Sequence, residues 1–402
     1  MKELKDNKRD VGYVIGGCGL SGMITALAFA YHGISTTIME AKLIDSDGFF
    51  EDIRTTALTA FAKDFFEKIG IWSSICEIAG PINEIYVVDN KSPEMIHFSS
   101  SSALEKGKVG ELMGYLVENS QFKKCLYELV RGSKFITILD GTNYGEIVNL
   151  ENECRINLTN GNALQAKLFI ICEGGRSKAK YDFFSNGISE DYKQTAVTFI
   201  VQHEKDHEGT AVEHFMPSGP FAILPLKDSN KSSIVWTLPQ ESALLMTKLP
   251  SQEFSFLVQE NFGPFLGEVK IVGEIACFPL KASAVRRYYN KRIVLVADSA
   301  HVVHPLAGQG LNQGIKDIDC LTRLISCHSR VGENLDYRII LKEYQRLRKG
   351  DNENMLFLTS AINDVFSSDS KMLFNARQIG FKAIEKISPF KKLIVKYAMG
   401  RR

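Results

Sequence analysis

Between Val11 and Met39 the chain carries no Asp, Glu, Lys or Arg. A run of that length could cross a bilayer as a helix, so its punctuation decides what it becomes. It opens on a β-type segment, Tyr13-Val-Ile15, and is then broken by Gly16, Gly17, Gly19 and Gly22. Those glycines argue against one continuous span. They predict a buried strand, a tight turn and a buried helix over about Leu20 to Tyr31. Gly33 ends the helix, and Ile34 to Met39 reads as a second strand.

Gly17, Gly19 and Gly22 satisfy G-x-G-x-x-G in the context that gives the motif meaning, after a strand and before a helix. The first glycine permits the turn, the second lets a pyrophosphate approach, and the third lets the helix pack closely. The helix amino end offers unpaired N–H groups and partial positive charge to that phosphate. Glu40 closes the second strand, where a carboxylate accepts hydrogen bonds from ribose hydroxyls. An acid there favours an unphosphorylated adenosine ribose, as in FAD or NAD, over NADP.

A second site-building stretch runs from Ile293 to Asn312. Ile293, Val294, Leu295, Val296 and Ala297 read as a short buried strand with Asp298 at its carboxyl end. Pro305, Gly308 and Gly310 then let the backbone press against a ligand before a helix begins near Gly310, Leu311 and Asn312. Open α/β sheets bind ligands at such strand ends.

Bulk properties narrow the function. The net charge of +1 gives no sign of nucleic-acid binding. Eight cysteines are scattered without a CxxC pair, which points to reduced thiols and a cytoplasmic setting. The charged start, Met1 to Asp10, does not open a secretory signal. No His, Cys or carboxylate grouping has metal-ligand spacing, and neither Ser218 nor Ser299 sits in a nucleophile elbow. His301 and His304 read as structural residues of a tight loop.

Further segments give the chain a resemblance over nearly its whole length to the FAD-dependent aromatic hydroxylases, and within them to the ubiquinone-biosynthesis hydroxylases. Asp52-Ile-Arg-Thr-Thr-Ala-Leu58 resembles that family's D-x-R-x-x-A-L segment, which implies that Arg54 contacts FAD. Gly114-Tyr-Leu-Val-Glu-Asn119 resembles the corner that brings a polar side chain, here Asn119, to the cofactor. Ile171-Cys-Glu-Gly-Gly-Arg-Ser177 resembles D-G-x-x-S, and Asp298 to Asn312 resembles the ribityl and flavin-edge motif. Tyr192-Lys-Gln-Thr195, Phe215 to Leu226, Val235-Trp236, and the Tyr344, Arg348, Asp351 spacing also follow the ubiquinone branch. Two positions depart from the pattern. Ala297 replaces a usual glycine, and Glu173 replaces a usual aspartate.

The resemblance implies an FAD monooxygenase that hydroxylates the ring of a polyprenyl phenol through a flavin C4a-hydroperoxide, using O2 and NADH, NADPH or an electron carrier. It implies Asp298 on the ribityl chain, Pro305 as a wall of the flavin ring, and cofactor contacts from Gly308, Gly310, Leu311 and Asn312. Phe215, Phe221, Ile223 and Leu224 are candidates for the substrate pocket. Two rival readings stand beside it: an isoprenoid-acting flavin oxidoreductase without oxygen insertion, and a non-catalytic flavoprotein subunit scaffolding a quinone-biosynthesis complex.

The expected fold is α/β, with a Rossmann-like FAD domain (9–80, 105–180 and 279–328) and an inserted mixed β-sheet substrate domain (81–104 and 181–278). A C-terminal helical region occupies 329–402. Ile82 to Phe98 and Ala196 to about Phe278 read as the substrate sheet. Near the end, Ser388 and Pro389 start a helix. There Phe390, Leu393, Ile394 and Tyr397 share a face bordered by Lys391, Lys392 and Lys396. That face suits either docking on the protein's own domain or peripheral contact with the inner face of a membrane.

Overall fold

The computed structural model describes residues 8–400 apart from 45, 47, 90–94, 100–111, 185, 217, 305–307, 330–335, 368–376, 379, 381–383, 385–390, 393 and 396–398. At the centre of the first sheet, β1 (Lys8–Gly16) pairs in parallel with β2 (Thr36–Met39) and with β11 (Ala163–Ile171). Beyond these lie β8 (Ile136–Leu139) and β18 (Ile293–Leu295), also parallel. The antiparallel β17 (Tyr289–Asn290), β10 (Cys154–Leu158) and β9 (Tyr144–Asn149) extend it. Val14, Ile15, Phe169 to Ile171, and Ile293 to Leu295 are all buried, as parallel strands covered on both faces require.

The uncharged run folds as its glycines predict. Helix α1 (Leu20–Tyr31) is buried from Gly22 to Phe29 and packs against α4 (Asn119–Arg131) and α8 (Gln309–Ser329). Gly33, at φ +72°, ends it.

A small antiparallel sheet of β3 (Thr55–Thr59), β7 (Gly114–Glu118) and β4 (Gly80–Ile82) has β7 in the middle. Helices α2 (Ala60–Lys68) and α3 (Trp72–Cys76) follow β3, with the Thr59 hydroxyl capping α2 at Ala62.

The third sheet runs in the order β19 (His301–Val302), β16 (Val269–Val285), β12 (Asn186–His203), β15 (Lys231–Pro239), β14 (Gly219–Pro225), β13 (Thr210–Met216), β5 (Glu84–Asp89) and β6 (Met95–Ser99). Only the β13–β5 pair within it is parallel, so the sheet is mixed. Its outer face is covered by α6 (Gln240–Met246) and α7 (Ser251–Phe262), where Phe254, Val258 and Phe262 pack against Phe199, Phe221, Ile223 and Trp236. Its inner face meets the small sheet through Ala211, Leu224 and Leu226 against Ile82 and Leu116. Short α5 (Lys178–Phe183) follows β11, and the 31-residue α9 (Tyr337–Ser367) packs on α8 and against β13 and β14.

The structure corrects two readings. Residues 196–278 are not strand throughout, because Pro239 and Pro250 open α6 and α7. Phe254, Val258 and Phe262 recur at helical spacing, a period outweighed in the sequence by the surrounding β-branched and aromatic residues. Strand β18 ends at Leu295, and residues 297–299 form a 3-10 turn. At the chain end, Val395 and Met399 are buried with Ile82, Met113 and Leu116, and the Phe61 N–H donates to the Met399 carbonyl at 3.2 Å. Ser388, Pro389, Phe390, Leu393, Lys396 and Tyr397 lie outside the described residues. Among the described residues, no helix is long and apolar enough to cross a membrane.

Candidate active site

The parallel register lines up Met39, Gly16, Ile171 and Leu295 across β2, β1, β11 and β18. The loop after each strand therefore opens on one edge of the sheet. Backbone hydrogen bonds tie the loops together: Gly17 N–H to Met39 O and Cys172 N–H to Gly16 O, both 2.8 Å, and Val296 N–H to Ile171 O at 3.1 Å. The Ser299 hydroxyl donates to the Gly174 carbonyl at 3.3 Å.

Each glycine of the first motif has a distinct physical reason. Gly17 has φ +96°, and a Cβ there would lie 2.8 Å from the Cys172 carbonyl oxygen. A Cβ on Gly22 would lie 1.9 Å from the Gly17 carbonyl oxygen, so only glycine lets α1 sit this close to the turn. A Cβ on Gly19 would meet no atom within 4 Å. Gly19 caps α1 without a side-chain hydrogen bond, and the first turn carries no acid. The helix amino end is thus an open cradle of N–H donors, which fits a pyrophosphate. Glu40, directly after β2, accepts from Cys18 N–H at 2.8 Å and Lys42 N–H at 3.0 Å, which fixes its carboxylate beside this cradle.

Asp298 stands in the turn after β18 and is exposed on the same edge. Its inner side is crowded by protein. That partial desolvation pushes its carboxyl up, while His301, Arg54 and Lys180 pull it down. Arg54 forms two hydrogen bonds to Asp52, at 2.6 and 2.8 Å, and its guanidinium lies 5.2 Å from the Phe278 ring centre. Asn119 donates to Asp52 at 3.3 Å and accepts from the Thr56 hydroxyl at 2.6 Å. Arg54 and Asn119 therefore belong to one cluster, at the seam between the small sheet and the third sheet.

At the start of α8, Gly308 has φ +61°, and a Cβ there would press within 3.0 Å of the Ala57 Cβ. Gly310 and Leu311 are half-buried in the first turn, where backbone N–H groups lack intrahelical partners. The Asn312 side chain is engaged by the protein itself. Its Oδ1 accepts from Thr59 N–H and hydroxyl, and its Nδ2 donates to the Ala57 and Gly308 carbonyls. This locks α8 onto β3 and leaves the backbone of the first turn for a ligand. Pro305 lies outside the described residues.

The four pocket candidates divide by strand alternation. Phe221 and Ile223 belong to the outer core under α6 and α7 and cannot wall the inner face. Phe215 and Leu224 lie on the inner face, Phe215 stacked on Phe366 of α9 with ring centres 3.7 Å apart.

The two departures have structural answers. Ala297 adopts φ +55° and is buried. An added Cβ on Gly314 of α8 would come within 2.6 Å of the Ala297 methyl, so the methyl occupies space that Gly314 leaves free. Glu173 accepts from Tyr144 Oη at 2.9 Å and from Ser177 Oγ at 2.7 Å, using its longer arm to organise the 172–177 loop. Burial pushes its carboxyl up, against these two hydrogen bonds.

Sequence reasoning missed Asp317, which organises the buried support behind the Asp298 turn. It accepts from Arg348 Nε at 2.7 Å, Asn352 Nδ2 at 3.0 Å and Ala297 N–H at 3.3 Å, and lies 2.6 Å from His301 Nε2. Burial alone would push this carboxyl up, but His301, Arg348 and Asn352 prevail and hold it at about 2. Arg348 also reaches Asp351 at 2.8 Å, and Tyr344 donates to the Leu295 carbonyl at 3.1 Å. Tyr344 thus ties α9 to the site's last strand and Arg348 ties it to α8, while Asp351 pairs with Arg348 within α9. Burial holds His304 neutral, with its value lowered to about 4. No metal-binding group of His, Cys, Asp or Glu occurs among the described residues.

Comparison with known proteins identifies the family. The model of the FAD binding domain family matches residues 8–348. A ubiquinone hydroxylase, UbiL of Rhodospirillum rubrum, is 33% identical over 96% of this chain and 89% of its own length. The 3-demethoxyubiquinol 3-hydroxylase of Escherichia coli is 27% identical over 96% of this chain and 97% of its own. Among solved structures, p-nitrophenol 4-monooxygenase PnpA of Pseudomonas putida superposes with a TM-score of 0.79 at 15% identity, covering 98% and 99% of the two chains, and so shares the fold. The chain belongs to the FAD-binding-domain family and is an FAD-dependent aromatic hydroxylase of its ubiquinone-hydroxylase group.

Proposed function

We propose that this hydroxylase acts on the ring of a polyprenyl phenol in ubiquinone biosynthesis. The observation that carries the proposal is the juxtaposition of a dinucleotide cradle with the inner face of a separate sheet, joined at Arg54 and Phe278. The names of its relatives supply the substrate class. Gly17, Gly19 and Gly22 would receive the pyrophosphate, Glu40 the adenosine ribose, and Asp298 the ribityl chain. Arg54, Asn119 and the first turn of α8, from Gly308 through Gly310, Leu311 and Asn312, would border the flavin, with Pro305 as its wall. Bound FAD, reduced by NADH, NADPH or an electron carrier, supplies the activation of oxygen.

The protein's part is orientation, electrostatics and exclusion of water. The amino end of α8 would offer partial positive charge to the reduced flavin. Leu224, half-buried on the inner face, would offer apolar surface to a ring or prenyl chain, with Phe215 and its stacked partner Phe366 beside it. The sheets support a division into a flavin domain (9–80, 105–180 and 279–328) and a substrate domain (81–104 and 181–278), although β16 continues to Val285 and β19 pairs with it in the third sheet. Deleting the gene should make a polyprenyl phenol that lacks one ring hydroxyl accumulate, and a plasmid copy should clear it. An unchanged quinone profile would overturn the proposal.

Peripheral membrane contact belongs to the same proposal. Val395 and Met399 anchor the last segment to the small sheet, so contact would use its outward side, where Lys392 is exposed. The full-length protein should float with anionic liposomes at low salt and be released at high salt. Failure to float at low salt would mean that the segment serves docking alone.

A further inference from the structure

Register across the third sheet places Ala276, Thr198, Val235, Ala222, Glu213 and Val87 side by side on β16, β12, β15, β14, β13 and β5. Alternation fixes which way this row faces. Val212 and Met216 pack in the outer core with α7, whereas Ala211 packs with Leu116 of the small sheet. Glu213 therefore shares the inner face with Ala211 and Phe215. One neighbouring row ends at Phe278, beside Arg54, and the other contains Ser233, whose hydroxyl lies 2.9 Å from that of Thr55. The row of Glu213 thus lies between the two rows that touch the Arg54–Thr55 seam. Glu213 itself stands two strands from β15, roughly 10 Å across the sheet at about 4.8 Å per strand. Across that separation the row carries only the small side chains of Ala222 and Val235.

Glu213 is the single ionisable side chain in its row, and no hydrogen bond or ion pair of its carboxylate occurs among the described residues. A half-buried carboxylate in apolar surroundings is costly unless something uses it. We infer that Glu213 faces the hydroxyl of the bound phenol and accepts its proton, making it a catalytic residue of this hydroxylase. The inference rests on the phenolic substrate proposed above. The phenol O–H bond breaks, an O–H bond forms on a Glu213 oxygen, and the electron pair stays with the phenolate. Electron density at the ring carbons ortho and para to that oxygen rises, which favours their attack on an electrophilic oxygen. The proton then passes to water.

The surroundings suit a base at physiological pH. Desolvation pushes the Glu213 carboxyl up to about 7, close to the value at which general-base catalysis is most effective. Among the described residues, the other charged groups near the inner face are engaged or exposed. Asp89 on β5 is held by Arg377 at 3.0 Å, and Arg54 on the flavin side by Asp52 at 2.6 Å. Lys231, at the start of β15, pairs with Asp228 at 3.0 Å. His304 is held neutral, and Asp364 on α9 is exposed. His214 and the Glu84–His97 pair alternate onto the outer face. Since Glu213 must be ionised to act, turnover should rise with pH through about 7.

The test compares the FAD-loaded wild type with Glu213→Gln and Glu213→Asp, using 2-geranylphenol as probe. Wild type should develop a phenolate absorbance difference on binding the probe, at a pH where the free phenol is protonated. Glu213→Gln should bind FAD normally, lack that band, lose the acid limb of the kcat profile, and drop kcat by about a hundredfold or more. Glu213→Asp should keep the band at reduced amplitude, which guards against a mere folding defect in the first variant. Wild-type band and kcat in Glu213→Gln would overturn the assignment, as would loss of the band in no variant. If wild type shows the band but inserts no oxygen, the hydroxylase reading fails while the proton-accepting role stands.

Discussion

Replacing Asp317 by Asn keeps the shape of the side chain and removes the charge on which the support behind the site converges. In the wild type this carboxylate, fully buried, faces Arg348 at 2.7 Å and His301 at 2.6 Å. Breaking a buried ion pair by removing one partner costs about 3–5 kcal/mol, because the other charge is left uncompensated. Asp351 still pairs with Arg348 at 2.8 Å, which places the loss towards the lower end. With an unfolding entropy of about 2.1 cal/mol/K per residue, a chain of 402 residues should melt about 4–6 °C lower. The Asp317 carboxyl titrates at about 2, below its unfolded value. Its stabilisation is therefore complete above about pH 4 and lost as pH falls through 2. Thermal melts of both proteins from pH 7 to pH 3 provide the assay, and the gap between them should narrow by about a third at the acid end. Because Asp317 also accepts the Ala297 N–H, FAD affinity should fall together with stability. Equal melting temperatures at pH 7 would refute the reasoning.

Other substitutions separate the cofactor site from its scaffold. Asp298→Ala should weaken FAD binding about ten- to a hundredfold, from a lost charged hydrogen bond of roughly 1.5–3 kcal/mol, while the melting temperature of the apoprotein stays unchanged. Titration of the apoproteins with FAD checks this, and unchanged affinity would remove Asp298 from the site. Gly314→Ala should cost about 1–3 kcal/mol by overpacking, since its Cβ would lie 2.6 Å from the Ala297 methyl. Adding Ala297→Gly to that variant should restore most of the stability, which denaturant unfolding of the single and double variants would show.

Much of the flavin side was legible in the sequence because its constraints are local. Helix α1 runs from Leu20 to Tyr31, as the glycines and the uncharged stretch predicted. The strand before Asp298 was legible from its apolar residues, although Val296 and Ala297 leave the ladder to build the turn. What escaped depends on tertiary contact. Asp317 lies mid-helix with no motif around it, and its importance emerges only when α9 brings Arg348 and Asn352 to it. Phe221 and Phe215 look alike as aromatics on strands. Alternation sends one under α7 and the other to the inner face, and this becomes readable only with the register known. Helices α6 and α7 were hidden because their apolar residues are embedded in β-rich surroundings.

A flavin hydroxylase takes its new ring oxygen from dioxygen, which isotope labelling reads out. Purified protein loaded with FAD, given a reductant and 2-geranylphenol under labelled dioxygen, should yield a ring-hydroxylated product carrying one labelled oxygen atom. A product without label, or a saturated prenyl chain with the ring unchanged, would contradict it in favour of an oxidoreductase without oxygen insertion. Flavin that cannot be reduced and reoxidised under any of these conditions would contradict it in favour of a scaffold.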